Sequence, residues 1–314
     1  MENLLFSFKV VAPVFIIIYL GIFLKRRNFI NENFIAVSSS MVFMIALPSL
    51  SFLEISRTDF TRSFNAHAIL FAFFQTLCIT GLAWGVSGLF GARGASRGAF
   101  VQGSFRSNYA IVGFALVVNL LGQHALAKAA LLLAFVMPLY NVIAVILLTV
   151  TGNTEKKAGS GQILKGIFTN PLILSVIVAL PFSYFKIPIP GTAAKTINYL
   201  ASLTLPLALV GIGGSLNFTS LKARALAAAG ATAIKLVVTP LIFTFAAYKM
   251  GFAGEDLAVL FLLFACPTAI SSFIMAKAME SDAVLAADIV VFTTLFSVVT
   301  IALGVFILKS TGLI

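Results

Sequence analysis

The run FVQGSFRSNYAIVGFALVVNL, Phe100 to Leu120, places Gln102, Ser104, Arg106, Ser107 and Asn108 within seven residues of an otherwise apolar stretch. A charged side chain at the centre of a bilayer costs at least about 2.5 kcal/mol, so an arginine kept there is usually functional. Its planar fork matches a carboxylate, and a helix break beside it would let the next half-helix, starting near Asn108, add a positive end. That chemistry is recognition of an organic anion. The competing reading is an arginine whose long stem lets it snorkel to the nearer membrane face.

A second run, LAVLFLLFACPTAISSFIMAKAM from Leu257 to Met279, carries Pro267 at its middle, followed by Thr268, Ser271 and Ser272. Proline supplies no amide donor and clashes with the preceding turn, so carbonyls are freed that could ligate a cation or receive substrate hydroxyls. The alternative is a kinked packing helix whose hydroxyls bond back to the main chain. Asn141 either lines the same cavity or makes an interhelical bond. Lys235 and Asp288 also lie inside apolar runs. Paired they would be structural; apart, Asp288 could carry a coupling proton or bind sodium, and both readings stand. The candidate substrate contacts are Ser104, Arg106, Asn108, Asn141, Pro267, Ser271 and Ser272, with Lys235 and Asp288 as coupling or structural charges.

Little else is suited to chemistry. His67 and His124 are far apart and lack neighbouring ligands at metal-binding spacing, so no metal is expected, nor any organic cofactor. Glu54, Arg57, Asp59, Arg62 and His67 read as a solvated external loop, and GARGASRG, Gly91 to Gly98, as a turn that lacks the lysine of a phosphate loop. Cys78 and Cys266 lie in apolar spans and imply no disulfide.

These residues must be positioned by a membrane domain. At 60% hydrophobic and 10% charged residues, with a mean hydropathy of +1.08, the 314 residues cannot coat a water-soluble globule. Apolar runs recur near residues 4–24, 34–53, 68–90, 100–121, 125–150, 163–185, 193–216, 223–248, 256–277 and 283–308, each long enough to cross a bilayer of roughly 30 Å. The excess of 21 Lys and Arg over 10 Asp and Glu is spread between the spans, which argues for topology and against nucleic acid. Lys25, Arg26 and Arg27 follow the first span, opposite to a cleavable signal, so that span is expected to remain. With those three inside, both termini face outside an inner membrane.

A polar linker, Thr151 to Gln162, separates residues 1–150 from 163–314. A shift of 158 places Pro13 on Pro171, Leu47-Pro48 on Leu205-Pro206, Phe60 on Phe218, and Asn108-Tyr109 on Cys266-Pro267. Five spans per half is an odd number, so the halves would be inverted, and paired interrupted helices in inverted halves are the pattern of alternating-access transporters.

Four stretches carry a family resemblance: APVFIIIYLGIFLKRRNFI (Ala12 to Ile30), QGSFRSNYAIVG (Gln102 to Gly113), NPLILSVIVALPF (Asn170 to Phe182), and the ninth span through DIVVFTTLFS, ending at Ser297. With them the chain resembles bacterial members of the auxin efflux carrier family along essentially its whole length. The resemblance implies an all-α fold of ten transmembrane helices in two inverted five-helix repeats, like that of bile acid/sodium symporters. Spans 4 and 9 would be broken and cross at the substrate site. Spans 1, 2, 6 and 7 would form a scaffold and homodimer surface, and spans 3–5 and 8–10 a bundle that moves as an elevator. Plant relatives have asparagine-proline in the span 4 crossover, where this chain has Asn108-Tyr109 with Arg106 beside it. That departure argues against auxin and for a small dicarboxylate such as malate or malonate, with a proton or sodium as the undetermined coupling ion. An intramembrane enzyme would need a catalytic constellation that the spans do not display, and a channel would present a pore-lining ring in place of paired breaks.

Overall fold

The computed structural model describes residues 2–57, 64–152, 171–216 and 224–314. In chain order these form α1 (Glu2–Arg26), α2 (Glu32–Arg57), α3 (Ala66–Phe90), α4 (Ala95–Phe105), α5 (Tyr109–Leu121), α6 (Gln123–Thr151), α7 (Pro171–Phe185), α8 (Gly191–Ser215), α9 (Ala225–Lys249), α10 (Gly254–Ala265), α11 (Ser271–Ala278) and α12 (Ala283–Ser310). No strand occurs among the described residues; the nearest to one is an isolated bridge between Ser107 and Thr268. Six helices, α2, α3, α6, α8, α9 and α12, are long and apolar enough to cross a membrane, which makes this a multi-pass membrane protein. Most of the linker, the Phe60 and Phe218 match, Asp59 and Arg62 lie outside the described residues, and the span expected at 163–185 is described from Pro171.

The helices start where short polar side chains can take an orphan amide. The Asn31 side chain accepts from the Phe34 amide at 2.8 Å, Asn65 from Ala68 at 3.0 Å, and Asp282 from Leu285 at 3.0 Å. Their outer faces carry exposed Phe74, Leu241, Phe245 and Phe296, as lipid-facing helices require. Proline marks the irregularities. A wide turn at Val42–Ala46 precedes Pro48 in α2, and the interruption of α8 at Leu203 precedes Pro206. In each case the turn relieves the clash of the proline ring with the carbonyl four residues earlier. A shift of 158 carries the first irregularity onto the second.

Two polar clusters fasten the helix ends. At one, Lys128 on α6 bonds Asp256 (2.7 Å) and Glu255 (3.4 Å) at the start of α10, Asn65 donates to Asp256 at 2.9 Å, and His124 lies 2.7 Å from Glu255. His124 thus has a carboxylate neighbour that its place in the chain does not indicate. At the other, Asp282 before α12 accepts from Ser96 at the start of α4 (2.5 Å) and pairs with Arg224 before α9 (2.6 Å). Arg57 and His67, expected in one solvated cluster, are both exposed, at the end of α2 and the start of α3.

Helix α1 lies along α8 and against α12, and α2 against α7, α8 and α6, while α3 and α6 flank α4 and α9 packs on α10 and α12. The α1–α8 approach is backbone on backbone: a Cβ built at Gly213 would stand 1.9 Å from the Ile18 carbonyl oxygen, and one at Gly21 2.3 Å from that of Val210. Replacing Gly213 by valine is therefore expected to force the helices apart and cost about 1–3 kcal/mol. Thermal unfolding of the purified protein in detergent would show a lower midpoint for Gly213→Val, and an unchanged one for Gly81→Val, where nothing lies within 4 Å.

Candidate functional site

Helix α4 stops at Phe105 because Arg106 turns extended (φ −73°, ψ 121°), and the chain resumes helical form at Tyr109. Helix α10 stops at Ala265, where Cys266 turns extended (φ −58°, ψ 146°) ahead of Pro267, and α11 begins at Ser271. The two interruptions lie against each other. The Asn108 amide donates to the Pro267 carbonyl at 2.8 Å, and the Ala269 amide to the Arg106 carbonyl at 3.4 Å, so residues 106–108 and 267–269 pair as a minimal antiparallel ladder. Helices α4 and α10 accordingly enter the crossing from opposite ends.

The pairing is secured from the side. The Thr268 amide, which in a continued helix would bond the Phe264 carbonyl, donates instead to Thr293 Oγ1 on α12 at 3.0 Å. Thr268 Oγ1 donates to the Gly103 carbonyl on α4 at 2.6 Å, and Tyr109 Oη to the Val259 carbonyl on α10 at 3.1 Å. Gly103 is bare for a reason: a Cβ there would stand 2.8 Å from the Ile289 side chain on α12.

On this frame sits the buried Arg106 guanidinium, 8% exposed as a residue. Nη2 donates to Asn141 Oδ1 on α6 at 2.7 Å, and Nη1 to the Met275 thioether on α11 at 2.9 Å. Gln102, one turn before Arg106 on α4, aims its amide at the same sulfur at 3.7 Å, while its Oε1 is buried without a partner. Ser272 Oγ is likewise buried without a hydrogen-bond partner, one turn before Met275, and the buried Ser107 Oγ stands beside the Cys266 thiol. Tyr140, its ring tilted at 54° to that of Phe105 with centroids 5.6 Å apart, completes this wall next to Asn141.

The expected residues divide accordingly. Arg106, Asn141 and Ser272 are brought to one place, with Asn108 and Pro267 as backbone partners in the ladder and the half-buried Ser271 opening α11. Ser104 is turned away, its hydroxyl bonded to the Phe100 carbonyl of its own helix at 2.8 Å. Lys235 lies on the wide turn Ile234–Val238 of α9, with Nζ on the Phe264 carbonyl at the end of α10 at 2.7 Å. Asp288 is fully buried in α12 beside Ile289. Met275, Thr293 and Tyr140 were not singled out from sequence. Gln102 was open to selection, because its spacing of four from Arg106 puts both on one helical face.

Residues 6–305 match the family model described as membrane transport protein. An uncharacterized transporter of Methanocaldococcus jannaschii is 27% identical over 306 residues, 95% of this chain and 98% of that protein. An uncharacterized transporter of Methanothermobacter thermautotrophicus is 23% identical over 304 residues, 95% and 97% of the two chains. A protein of Rhizobium meliloti named "Putative malonate transporter" is 28% identical over 312 residues, 96% of each chain.

The geometry makes a stability prediction separable from function. Thr293→Val removes the acceptor of the Thr268 amide and leaves that donor buried, which costs about 1–3 kcal/mol. Thr300→Val, near the other end of α12 where the hydroxyl has only 3.5 Å contacts to its own helix, is expected to leave the unfolding midpoint within error of the unaltered protein.

Proposed function

Because the chain belongs to the membrane transport protein family, the auxin efflux carrier family, we propose that it is a secondary active transporter of small organic anions. The substrate site is the crossing of α4–α5 with α10–α11, and the cargo is a short dicarboxylate such as malonate or malate. The observation that carries this reading is the state of Arg106: a buried guanidinium on the paired breaks whose two side-chain partners, Asn141 and Met275, are both uncharged. Among the described residues no carboxylate stands within ion-pairing distance of it, and an anion is the partner a buried guanidinium favours most. A thioether is a weak acceptor, and a carboxylate oxygen in its place would gain a charge-assisted bond from Arg106 and a second from Gln102. The nearby hydroxyls of Ser107 and Ser272 offer bonds to the rest of a polar substrate. The name of the Rhizobium relative favours malonate among the candidates.

The same reading extends to the architecture. We take α4–α5 and α10–α11 as two interrupted spans, which with the other helices makes ten spans in two inverted repeats, residues 1–150 and 163–314. Supporting this, a shift of 158 relates the irregularities before Pro48 and Pro206, and brings the Ser96 and Asp282 contact onto Gly254 and His124, next to the His124–Glu255 contact. Helices α1, α2, α7 and α8 form the scaffold, also the surface for a homodimer, and α3–α6 with α9–α12 form the bundle that moves against it as an elevator. With Lys25–Arg27 in the cytoplasm, both termini face outside the inner membrane.

Uptake of labelled malonate and malate into proteoliposomes tests the site. The unaltered protein is expected to show saturable uptake, as a carrier does. Arg106→Ala should lower kcat/KM by a factor of about 10–150, the loss of a hydrogen bond to a charged group worth about 1.5–3 kcal/mol, and Arg106→Lys should fall between. A folded Arg106→Ala protein that transports like the unaltered one would remove the anion site from the crossing.

A further inference from the structure

The carboxyl-terminal end of α10 poses a separate problem of charge. In a helix the last carbonyls bond amides four residues ahead, and here that supply is cut for three in succession. The Leu263 carbonyl would need residue 267, which is proline. The Phe264 carbonyl would need the Thr268 amide, which goes to Thr293, and the Ala265 carbonyl would need the Ala269 amide, which goes to Arg106. Three carbonyl oxygens at the negative end of a half-helix, away from water, form the kind of arrangement in which broken-helix carriers hold a monovalent cation.

In this protein a side chain reaches that end. Lys235 is 1% exposed, and its Nζ lies 2.7 Å from the Phe264 carbonyl oxygen, the middle one of the three. Its helix is reshaped at this level: α9 widens over Ile234–Val238 ahead of Pro240, and Thr239 Oγ1 takes up the Ile234 carbonyl at 2.7 Å. Among the described residues Lys235 forms no ion pair, so its charge is met by main-chain oxygen, as that of a bound metal cation would be. An ammonium offers three donors from a single point charge, which suits the carbonyl end of a helix better than the flat fork of arginine does.

We propose that the Lys235 ammonium is a built-in monovalent cation, occupying at the end of α10 the position that sodium would otherwise take, so that the crossing keeps its charge balance in the absence of sodium. Removal of the ammonium should leave a cation-sized site lined by the Leu263, Phe264 and Ala265 carbonyls. The transport consequence, uptake indifferent to sodium, rests on the reading under Proposed function; the binding consequence does not.

The test is thermal unfolding of the purified full chain in detergent, in sodium chloride and in choline chloride at equal ionic strength. The unaltered protein is expected to unfold at the same temperature in both. Lys235→Met, similar in length and uncharged, is expected to unfold roughly 3–6 °C lower in choline, the shift for losing one charge-assisted hydrogen bond, and to regain at least half of that in sodium with saturation. Lys235→Gln is carried in parallel in case the methionine variant fails to fold, and Lys235→Arg should remain sodium-independent. A saturable sodium shift in the unaltered protein overturns the proposal, since the site would then already take the metal ion. Destabilised neutral variants that sodium does not rescue overturn it too, because Lys235 would then be only a cap. If the melting results are as expected and no carboxylate is taken up by the unaltered protein, the substrate reading fails and the cation site stands.

Discussion

In hydrocarbon an unbonded amide or carbonyl has no water to turn to, and each one left unmet costs several kcal/mol. A helix can therefore be broken at membrane depth only where its loose groups find other partners. Here two helices are broken, and each supplies part of what the other lacks: Asn108 bonds Pro267, Ala269 bonds Arg106, and Thr268 bonds the Gly103 carbonyl through its hydroxyl. Neither break would be tolerable alone. Their mutual satisfaction fixes the antiparallel direction of the crossing, and with it the entry of α4 and α10 from opposite ends.

The remaining groups determine where charge can reside. What the ladder leaves over at the end of α10 is carbonyl oxygen, and Lys235 is drawn there; what lies beside the ladder on α4 is a guanidinium with neutral partners. The two cations have different kinds of partner. Lys235 is matched to backbone dipoles that belong to the fold, whereas the partners of Arg106 are side chains on α6 and α11 that take no part in the ladder. The polar clusters at the helix starts, Asp282 with Ser96 and Arg224, and Lys128 with Glu255 and Asp256, hold the outer ends of the same half-helices. The half-helices α4 and α10 are therefore tied at both ends, by these clusters outside and by the ladder within.

Much of this could be read from residue types, because the costs in lipid are high enough to leave marks. An arginine among apolar residues, a mid-span proline and the two prolines at Pro48 and Pro206 were enough to locate both breaks and two of the helix irregularities. The partners were less legible. Whether Lys235 met a carboxylate or the main chain depended on which helix crossed which, and nothing near it in the chain specified the Phe264 carbonyl. Met275 read as one more apolar residue, since a thioether becomes a hydrogen-bond acceptor only when donors are aimed at it. Ser104 is a different case. It stands two residues from Arg106 and so points to another face of α4, while Gln102, four residues away, points to the same one; helical spacing alone separates them.

That choice bears on how a carrier can release what it binds. A guanidinium held by a buried carboxylate of the protein would be satisfied at rest, and a substrate would have to compete with an ion pair. A guanidinium left with no acceptor would bind an anion so well that release would limit turnover. Asn141 and Met275 put Arg106 between these limits: one neutral oxygen of ordinary strength, and one sulfur that accepts more weakly than a carboxylate oxygen does. The gain on binding is then the difference between a charge-assisted bond and a weak one, a few kcal/mol at most. On the reading proposed above, an alternating-access cycle that must load on one side and unload on the other would work best with a difference of that size, and the methionine would provide it by taking the place of the substrate after release.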